Sequence, residues 1–191
     1  NSGNTFFLLR HGQATSNVSG LLASVIEEAD DNPSRLTELG VEQARAAAEK
    51  LSRESIDIIY SSPFKRTMET ASIVAELLGL EIKIDKRLEE VNVGMLSGHT
   101  VDEYNKYFEG KNMLTDAVEG SESLMDIRAR TKDFLDYLNN EHENKNILIV
   151  GHGDPLWMME SVLRNTESEE ILKTPYIENG EIKKFEVASV T

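Results

Sequence analysis

The segments FFLLRHG (residues 6–12) and ILIVGHG (residues 147–153) carry one pattern at opposite ends of the chain. In each segment, a run of apolar residues is followed by a histidine in a glycine-containing turn. Such a run is typical of a buried strand whose carboxyl end leads into a loop. In open α/β sheets, ligands bind at that edge. We therefore expect His11 and His152 to lie at the ligand-binding edge of a sheet.

Strands and helices are expected to alternate along the rest of the chain. Apolar runs predict further strands at Ile56–Tyr60, Glu81–Ile84 and, at an edge, Ile182–Val190. Apolar periodicity and capping residues predict four helices: Thr37 to about Arg53, a second that ends at Leu78 before Gly79, Ser123 to about Glu141, and one through Leu163 that is capped by Asp154. This alternation predicts a mostly parallel sheet with helices on both faces.

Residues 95–122 interrupt the alternation. They contain several glycines, one short helical stretch near Val101–Phe108 and no clear strand. Segments of this kind are often lids or substrate-selecting insertions. We expect residues 1–191 to form one domain with this insertion over its active site.

The composition narrows the range of partners. The 191 residues carry a net charge of −14 with no block rich in lysine and arginine, which argues against binding to nucleic acid or anionic membranes. Any phosphate site must therefore be a local feature. The absence of cysteine excludes disulfides, thiolate nucleophiles and cysteine-ligated metals.

The hydropathy pattern predicts no membrane segment. No apolar stretch approaches the ~20 residues that a membrane span needs, and no leader pattern opens the sequence. We therefore expect a cytoplasmic protein with no membrane partner. The sequence carries no signal of an oligomeric state.

Three residues suit covalent chemistry on a phosphoryl group. Neutral imidazole is a nitrogen nucleophile near pH 7, and the phosphoramidate that it forms can be cleaved by water. The transferring oxygens need cations around them. Arg10 immediately precedes His11, and Arg66 follows the second strand at the start of a helix, where anions are also favoured. Both arginines are expected at the same sheet edge.

A leaving alkoxide also needs a proton, which a carboxylic acid can supply. Glu89 and Glu90 both follow the third strand. Adjacent residues point in different directions, and geometry alone does not choose between them.

Five ordered motifs resemble those of the histidine phosphatase superfamily, also called the phosphoglycerate mutase-like family. They span most of the chain: Arg10-His11-Gly12 with Asn17; Leu36-Thr37 with Gly40, Gln43 and Ala44; Ser61-Ser62-Pro63 with Arg66, Thr70 and Ala71; Leu88, Glu90 and Gly94; and Gly151-His152-Gly153. The resemblance implies a three-layer α/β/α fold and an enzyme that uses no metal and no cofactor.

The same resemblance assigns roles to individual residues. It implies that His11 is the phosphorylated nucleophile and that Glu90 donates a proton and then activates water. Arg10, Arg66 and His152 would bind the phosphoryl oxygens, with Asn17 as a further contact. The expected activity is hydrolysis of a small phosphorylated metabolite.

Three alternatives stay open. A cofactor-dependent phosphoglycerate mutase would need more basic residues than Lys106 and Lys111 between His99 and Met125, where six acidic residues lie. A noncatalytic module could keep the pocket to bind a phosphorylated ligand. A zinc site of two histidines and a carboxylate would leave both arginines unexplained, because cations repel a metal.

Overall fold

The computed structural model describes residues 2–24 and 33–187. Five strands form one sheet, in the order β3-β2-β4-β1-β5. Their bounds are β1 Thr5–Arg10, β2 Ile58–Ser61, β3 Ile82–Ile84, β4 Asn146–Gly151 and β5 Ile182–Glu186. The strands β1 to β4 pair in parallel, and β5 pairs antiparallel to β1 at the edge. The predicted mostly parallel sheet is confirmed.

Six α-helices connect or flank these strands in the described ranges. Their bounds are α1 Thr15–Ser19, α2 Glu38–Leu51, α3 Lys65–Leu78, α4 Val101–Tyr107, α5 Leu124–Glu141 and α6 Gly153–Leu163. Short 3₁₀ segments lie at Lys86–Leu88, Gly94–Leu96 and Ser168–Lys173. No helix in these ranges is long and apolar enough to cross a membrane.

Two buried clusters, one on each face of the sheet, produce the three layers. The pleat turns Phe6 and Leu8 of β1 towards α5 and α6, and it turns Phe7 and Leu9 towards α2 and α3. Because both faces are covered, the central strands are continuous apolar runs rather than alternating ones. The apolar run at residues 6–9 therefore defines the middle of the fold.

Two boundaries correct the sequence-based expectations. Asp154 is not the cap of α6, because the helix begins at Gly153 and His152 has the extended backbone of the N-cap residue. The edge strand β5 ends at Glu186 rather than Val190, and residues 188–190 lie outside the described ranges. The first correction matters for function, because it places His152 directly at the amino end of a helix.

Candidate active site

Four parallel strands deliver the predicted residues to one edge of the sheet. His11 follows β1, Arg66 lies in the first turn of α3 after β2, Glu90 follows β3 and a 3₁₀ turn, and His152 follows β4. Strands β1 and β4 are neighbours, with Arg10 paired to Gly151. The imidazole centroids of His11 and His152 are 5.4 Å apart. The structure thus brings the two histidines together at this edge.

His11 is held in one tautomer by its own turn. Its Nδ1–H donates to the carbonyl oxygen of Gly12 at 2.7 Å, and a carbonyl can only accept. Nε2 therefore keeps its lone pair. The ring is 2% exposed, and burial, with Arg66 and Arg10 adding charge repulsion, lowers the pKa of His11 to about 3. His11 is thus a neutral imidazole at physiological pH.

His152 uses the opposite nitrogen. Its Nε2 lies 2.8 Å from the hydroxyl oxygen of Ser62, which also accepts the backbone N–H of Phe64 at 3.4 Å. The hydroxyl of Ser62 has one hydrogen to donate and a second lone pair, so it can pair with Nε2 in either tautomer. When it donates, the ring hydrogen of His152 lies on Nδ1, which faces Oε2 of Glu90 at 3.6 Å. Burial, together with the nearby Arg66 charge, lowers the pKa of His152 well below its usual value.

Glu90, and not Glu89, joins this group. Its Oε2 lies 3.6 Å from Nη2 of Arg66 and 3.6 Å from Nδ1 of His152. Its Oε1 accepts the backbone N–H of Val91 at 2.8 Å. Burial raises the pKa of Glu90, Arg66 opposes that effect, and Asp154 adds to it. A raised pKa suits a carboxyl group that must carry a proton.

Two arginines lie beside His11, His152 and Glu90, and the hollow is the region that these five side chains surround. Arg66 is 4% exposed; its Nη2 donates to the carbonyl of Ala23 at 2.7 Å, and its guanidinium lies 4.9 Å from the ring centroid of Phe64. Nη1 of Arg10 donates to the carbonyl of Ile177 at 2.9 Å. These backbone contacts hold each guanidinium in place and leave its other N–H groups available to a ligand.

Two buried nitrogens lack a hydrogen-bond partner among the described residues: Nε of Arg10 and Nδ1 of His152. Buried donors are usually paired, because an unpaired one costs free energy. Both atoms belong to the side chains that surround the hollow. The arrangement therefore suits an anion with several oxygens, such as a phosphoryl group.

Asn17 has local partners in the structure. Its Oδ1 accepts the backbone N–H of Ala14 at 2.9 Å, and its side chain is exposed. It stabilises the loop after His11. Its predicted contact with phosphate stays a prediction.

In the described part of the chain, no group of three histidine, cysteine, aspartate or glutamate side chains is arranged to hold a metal ion. The two histidines and Glu90 instead share their hollow with two guanidinium groups, and this cationic setting favours an anion.

A model of the histidine phosphatase superfamily (branch 1) matches residues 6–190. The chain belongs to this superfamily. Phosphoserine phosphatase 1 from Hydrogenobacter thermophilus is 35% identical over 158 residues, which is 80% of this chain and 72% of that protein. Probable phosphoglycerate mutase GpmB from Yersinia pestis is 31% identical over 163 residues, which is 82% of this chain and 73% of that protein.

A solved structure agrees with the fold. The structure of Bacillus stearothermophilus YhfR aligns with a TM-score of 0.86 at 26% identity, covering 98% of this chain and 93% of that one. The predicted α/β fold of a histidine phosphatase is thereby confirmed. The catalytic roles of the individual side chains stay predictions, and they are taken up below.

The sequence did not reveal two further side chains at the hollow. The hydroxyl of Tyr176 donates to Oδ1 of Asp154 at 2.6 Å, and the Arg10 guanidinium lies 5.4 Å from the Tyr176 ring centroid. Burial raises the pKa of Asp154. The position of Asp154 directly after the second histidine motif was a signal for a site residue, whereas Tyr176 lies in an irregular segment without one.

Proposed function

We propose that this protein is a phosphomonoester hydrolase that acts through a phosphohistidine intermediate on a small phosphorylated metabolite, without a metal ion. The observation that carries the proposal is the state of His11. Its Nε2 is unprotonated and buried beside Arg66, His152 and a carboxyl group whose pKa is raised. A nucleophile, anion-binding donors and an acid are therefore together around one centre.

In the first step, the Nε2 lone pair of His11 attacks the phosphorus and forms a P–N bond. The bond from phosphorus to the ester oxygen breaks, and the leaving oxygen takes the proton of Glu90. The Nδ1–H bond to the carbonyl of Gly12 stabilises the positive charge that develops on the ring. Arg10, Arg66 and Nδ1–H of His152 would hold the phosphoryl oxygens, where negative charge accumulates.

In the second step, the carboxylate of Glu90 takes a proton from water while that water attacks the phosphorus. The P–N bond breaks, inorganic phosphate leaves, and His11 returns to neutral imidazole. Glu90 is again protonated and ready for the next ester. One carboxyl group therefore serves as acid and then as base.

The insertion at residues 95–122 is proposed to select the substrate. Tyr104 of α4 is half-buried and packs 4.8 Å from the Phe108 ring. Burial raises the pKa of Tyr104, and the nearby charges of Asp154 and Glu90 add to this effect. A side chain from the insertion thus reaches the rim of the hollow. The relative named phosphoserine phosphatase 1 makes small phosphorylated metabolites the first substrates to test, and a freely diffusing metabolite fits the cytoplasmic location that the composition predicts.

A mutase is the second candidate, because one relative is named as a probable phosphoglycerate mutase. A mutase must return the phosphoryl group to a bound sugar acid before water takes it. The acidic character of the insertion disfavours the retention of such an anion. Assaying 3-phosphoglycerate with a bisphosphorylated primer separates the two, because a mutase produces the 2-phospho isomer faster than it releases phosphate.

The proposal is tested with p-nitrophenyl phosphate in the presence and absence of a chelator. We expect turnover that is insensitive to the chelator, and a phosphoryl group on His11 when the reaction is quenched in base and analysed by mass spectrometry. Base is needed because phosphoramidates are labile in acid. Chelator-sensitive turnover would point to a metal enzyme, and ligand binding without turnover would point to a binding module.

A further inference from the structure

Glu90 lies in a stretch of irregular backbone. Residues 89–93, the Glu90 loop, belong to no helix or strand. The side chain of Glu90 must nevertheless keep its orientation towards the hollow. A side chain on irregular backbone is only as well placed as the hydrogen bonds that hold that backbone. In this stretch, several of these bonds lead to a single arginine on α5.

Arg130 binds the backbone on both sides of Glu89. Its Nη1 donates to the carbonyl oxygen of Arg87 at 2.7 Å, and its Nη2 donates to the carbonyl oxygen of Glu90 at 3.3 Å. The second contact involves the peptide unit between Glu90 and Val91. The N–H of that same unit donates to Oε1 of Glu90. Arg130 therefore restrains the peptide plane that orients the Glu90 carboxyl group.

Glu122 holds Arg130 in this position and also binds the backbone of Asn92. Its carboxylate accepts from Nε and Nη2 of Arg130 at 2.8 and 3.2 Å, a two-pronged geometry that fixes the guanidinium plane. Oε2 of Glu122 also accepts the N–H of Asn92 at 2.9 Å. The N–H of Glu122 donates to the carbonyl of Asn92 at 3.0 Å. The pair thus holds the chain before, at and after Glu90.

The pair is shielded from solvent. The side chains of Arg130 and Glu122 are 18% and 26% exposed, so their interaction is screened less than that of a surface ion pair. Arg130 also lies beside the buried stripe of α5, three residues after Ile127 and four before Phe134, which are both fully buried. A charged residue at the border of a core-facing stripe needs a specific partner, and the Glu90 loop supplies it.

We propose that Arg130, held by Glu122, is a positioning residue that sets the Glu90 carboxyl group for proton transfer to the leaving oxygen. The proposal rests on the function proposed above, in which Glu90 donates that proton. Arg130 touches no reacting atom in this scheme. The loss of activity on substitution of Arg130 should therefore depend on how much protonation the leaving group needs. A purely structural role would not produce this dependence.

The test compares kcat/KM for p-nitrophenyl phosphate, whose leaving group needs little protonation, with kcat/KM for an alkyl phosphate such as glycerol phosphate. Arg130→Lys keeps the charge but loses the planar fork. We expect a loss of about 10- to 100-fold on the alkyl ester and less than about 3-fold on the aryl ester. Glu90→Gln should show the same selectivity more strongly.

Arg128→Lys is the matched control. Arg128 lies on the same helix, and its guanidinium also donates two hydrogen bonds, to Oγ of Ser161 at 2.9 Å and to the carbonyl of Thr166 at 3.1 Å. These contacts join α5 to the end of α6, away from the Glu90 loop. We expect this variant to change both esters by equal factors.

Equal losses on both esters in Arg130→Lys, or no loss, would overturn the positioning role while leaving the proposed function intact. Equal losses in Glu90→Gln would instead remove the proton-donor role and the positioning proposal with it. If Arg130→Lys does not fold, as judged by circular dichroism and a thermal melt, Glu122→Gln provides the same comparison and is expected to show the same selectivity.

Discussion

The turn at His11 and the turn at His152 have similar sequences, but the two rings have different hydrogen-bond partners. Both histidines follow a buried parallel strand, both rings are buried, and both have lowered pKa values. Yet His11 uses Nδ1 to contact a carbonyl, whereas His152 uses Nε2 to contact a hydroxyl. The first ring therefore presents a lone pair to the hollow, and the second presents Nδ1, to which the proposed mechanism assigns an N–H.

In the proposed mechanism, this difference lets one residue type at one sheet edge supply both the nucleophile and an anion-binding donor. The backbone partner of His11 comes from the next residue, so its tautomer is built into the turn itself. The partner of His152 comes from the loop after β2. The role of each ring is set by its second hydrogen bond.

Removal of His11 should have the largest effect. His11→Ala deletes the lone pair that the proposed mechanism assigns to attack, so kcat/KM for p-nitrophenyl phosphate should fall by about 10⁴-fold or more. No phosphoryl group should be found on the protein after a base quench. A variant that keeps even a tenth of the wild-type rate, with its fold intact, would show that another group attacks the ester.

Removal of His152 should cost less and leave the chemistry in place. His152→Ala deletes one donor to the phosphoryl oxygens, and the loss of such a donor typically lowers kcat by about 10²- to 10³-fold. The variant should still become phosphorylated on His11, at a reduced rate, in a rapid-quench experiment. If His152→Ala abolishes labelling while His11→Ala does not, the two roles are reversed.

Ser62 tests the hydrogen bond that orients His152. Ser62→Ala removes the hydroxyl that holds Nε2, and one lost hydrogen bond of about 1.4 kcal/mol corresponds to a roughly tenfold fall in kcat/KM. Ser61→Ala is the matched control, because Ser61 is equally buried but donates to the carbonyl of Ser62. Steady-state rates that fall equally in both variants would count against a role of the Ser62–His152 contact in the reaction.

Much of the fold was readable from local patterns. The run at residues 6–9, the caps at Thr37 and Ser123 and the left-handed Gly79 all act through residues close in sequence. Those signals placed β1, α2 and α5 within two residues of both ends, and they placed the end of α3 at Leu78. Such elements are predictable because their hydrogen bonds and apolar periods are contained within them.

The remaining features depend on partners that are distant in sequence. The hydroxyl that orients His152 comes from a residue 90 positions away, and Arg130 reaches the Glu90 carbonyl over 40 positions. Asp154 was read as a helix cap from its local sequence, whereas its carboxylate bonds to Tyr176 across the hollow. Local geometry likewise did not separate Glu89 from Glu90; the family resemblance favoured Glu90, and the folded backbone brings Glu90 to Arg66 and His152. Tautomers and side-chain partners are therefore properties of the tertiary structure.

The smallest expected effect concerns acid stability. A histidine whose pKa falls from 6.5 in the unfolded chain to about 3 in the fold is neutral when folded and protonated when unfolded between these values. The unfolded state then binds more protons, so the free energy of unfolding decreases as the pH drops below 6.5. His11→Asn removes this contribution and keeps an N–H for the Gly12 carbonyl. Between about pH 7 and about pH 5.5, the Tm of the wild type should fall by about 3 °C more than that of His11→Asn. Thermal melts in buffers free of phosphate measure the difference, and parallel curves for the two proteins would mean that His11 is not held neutral by the fold.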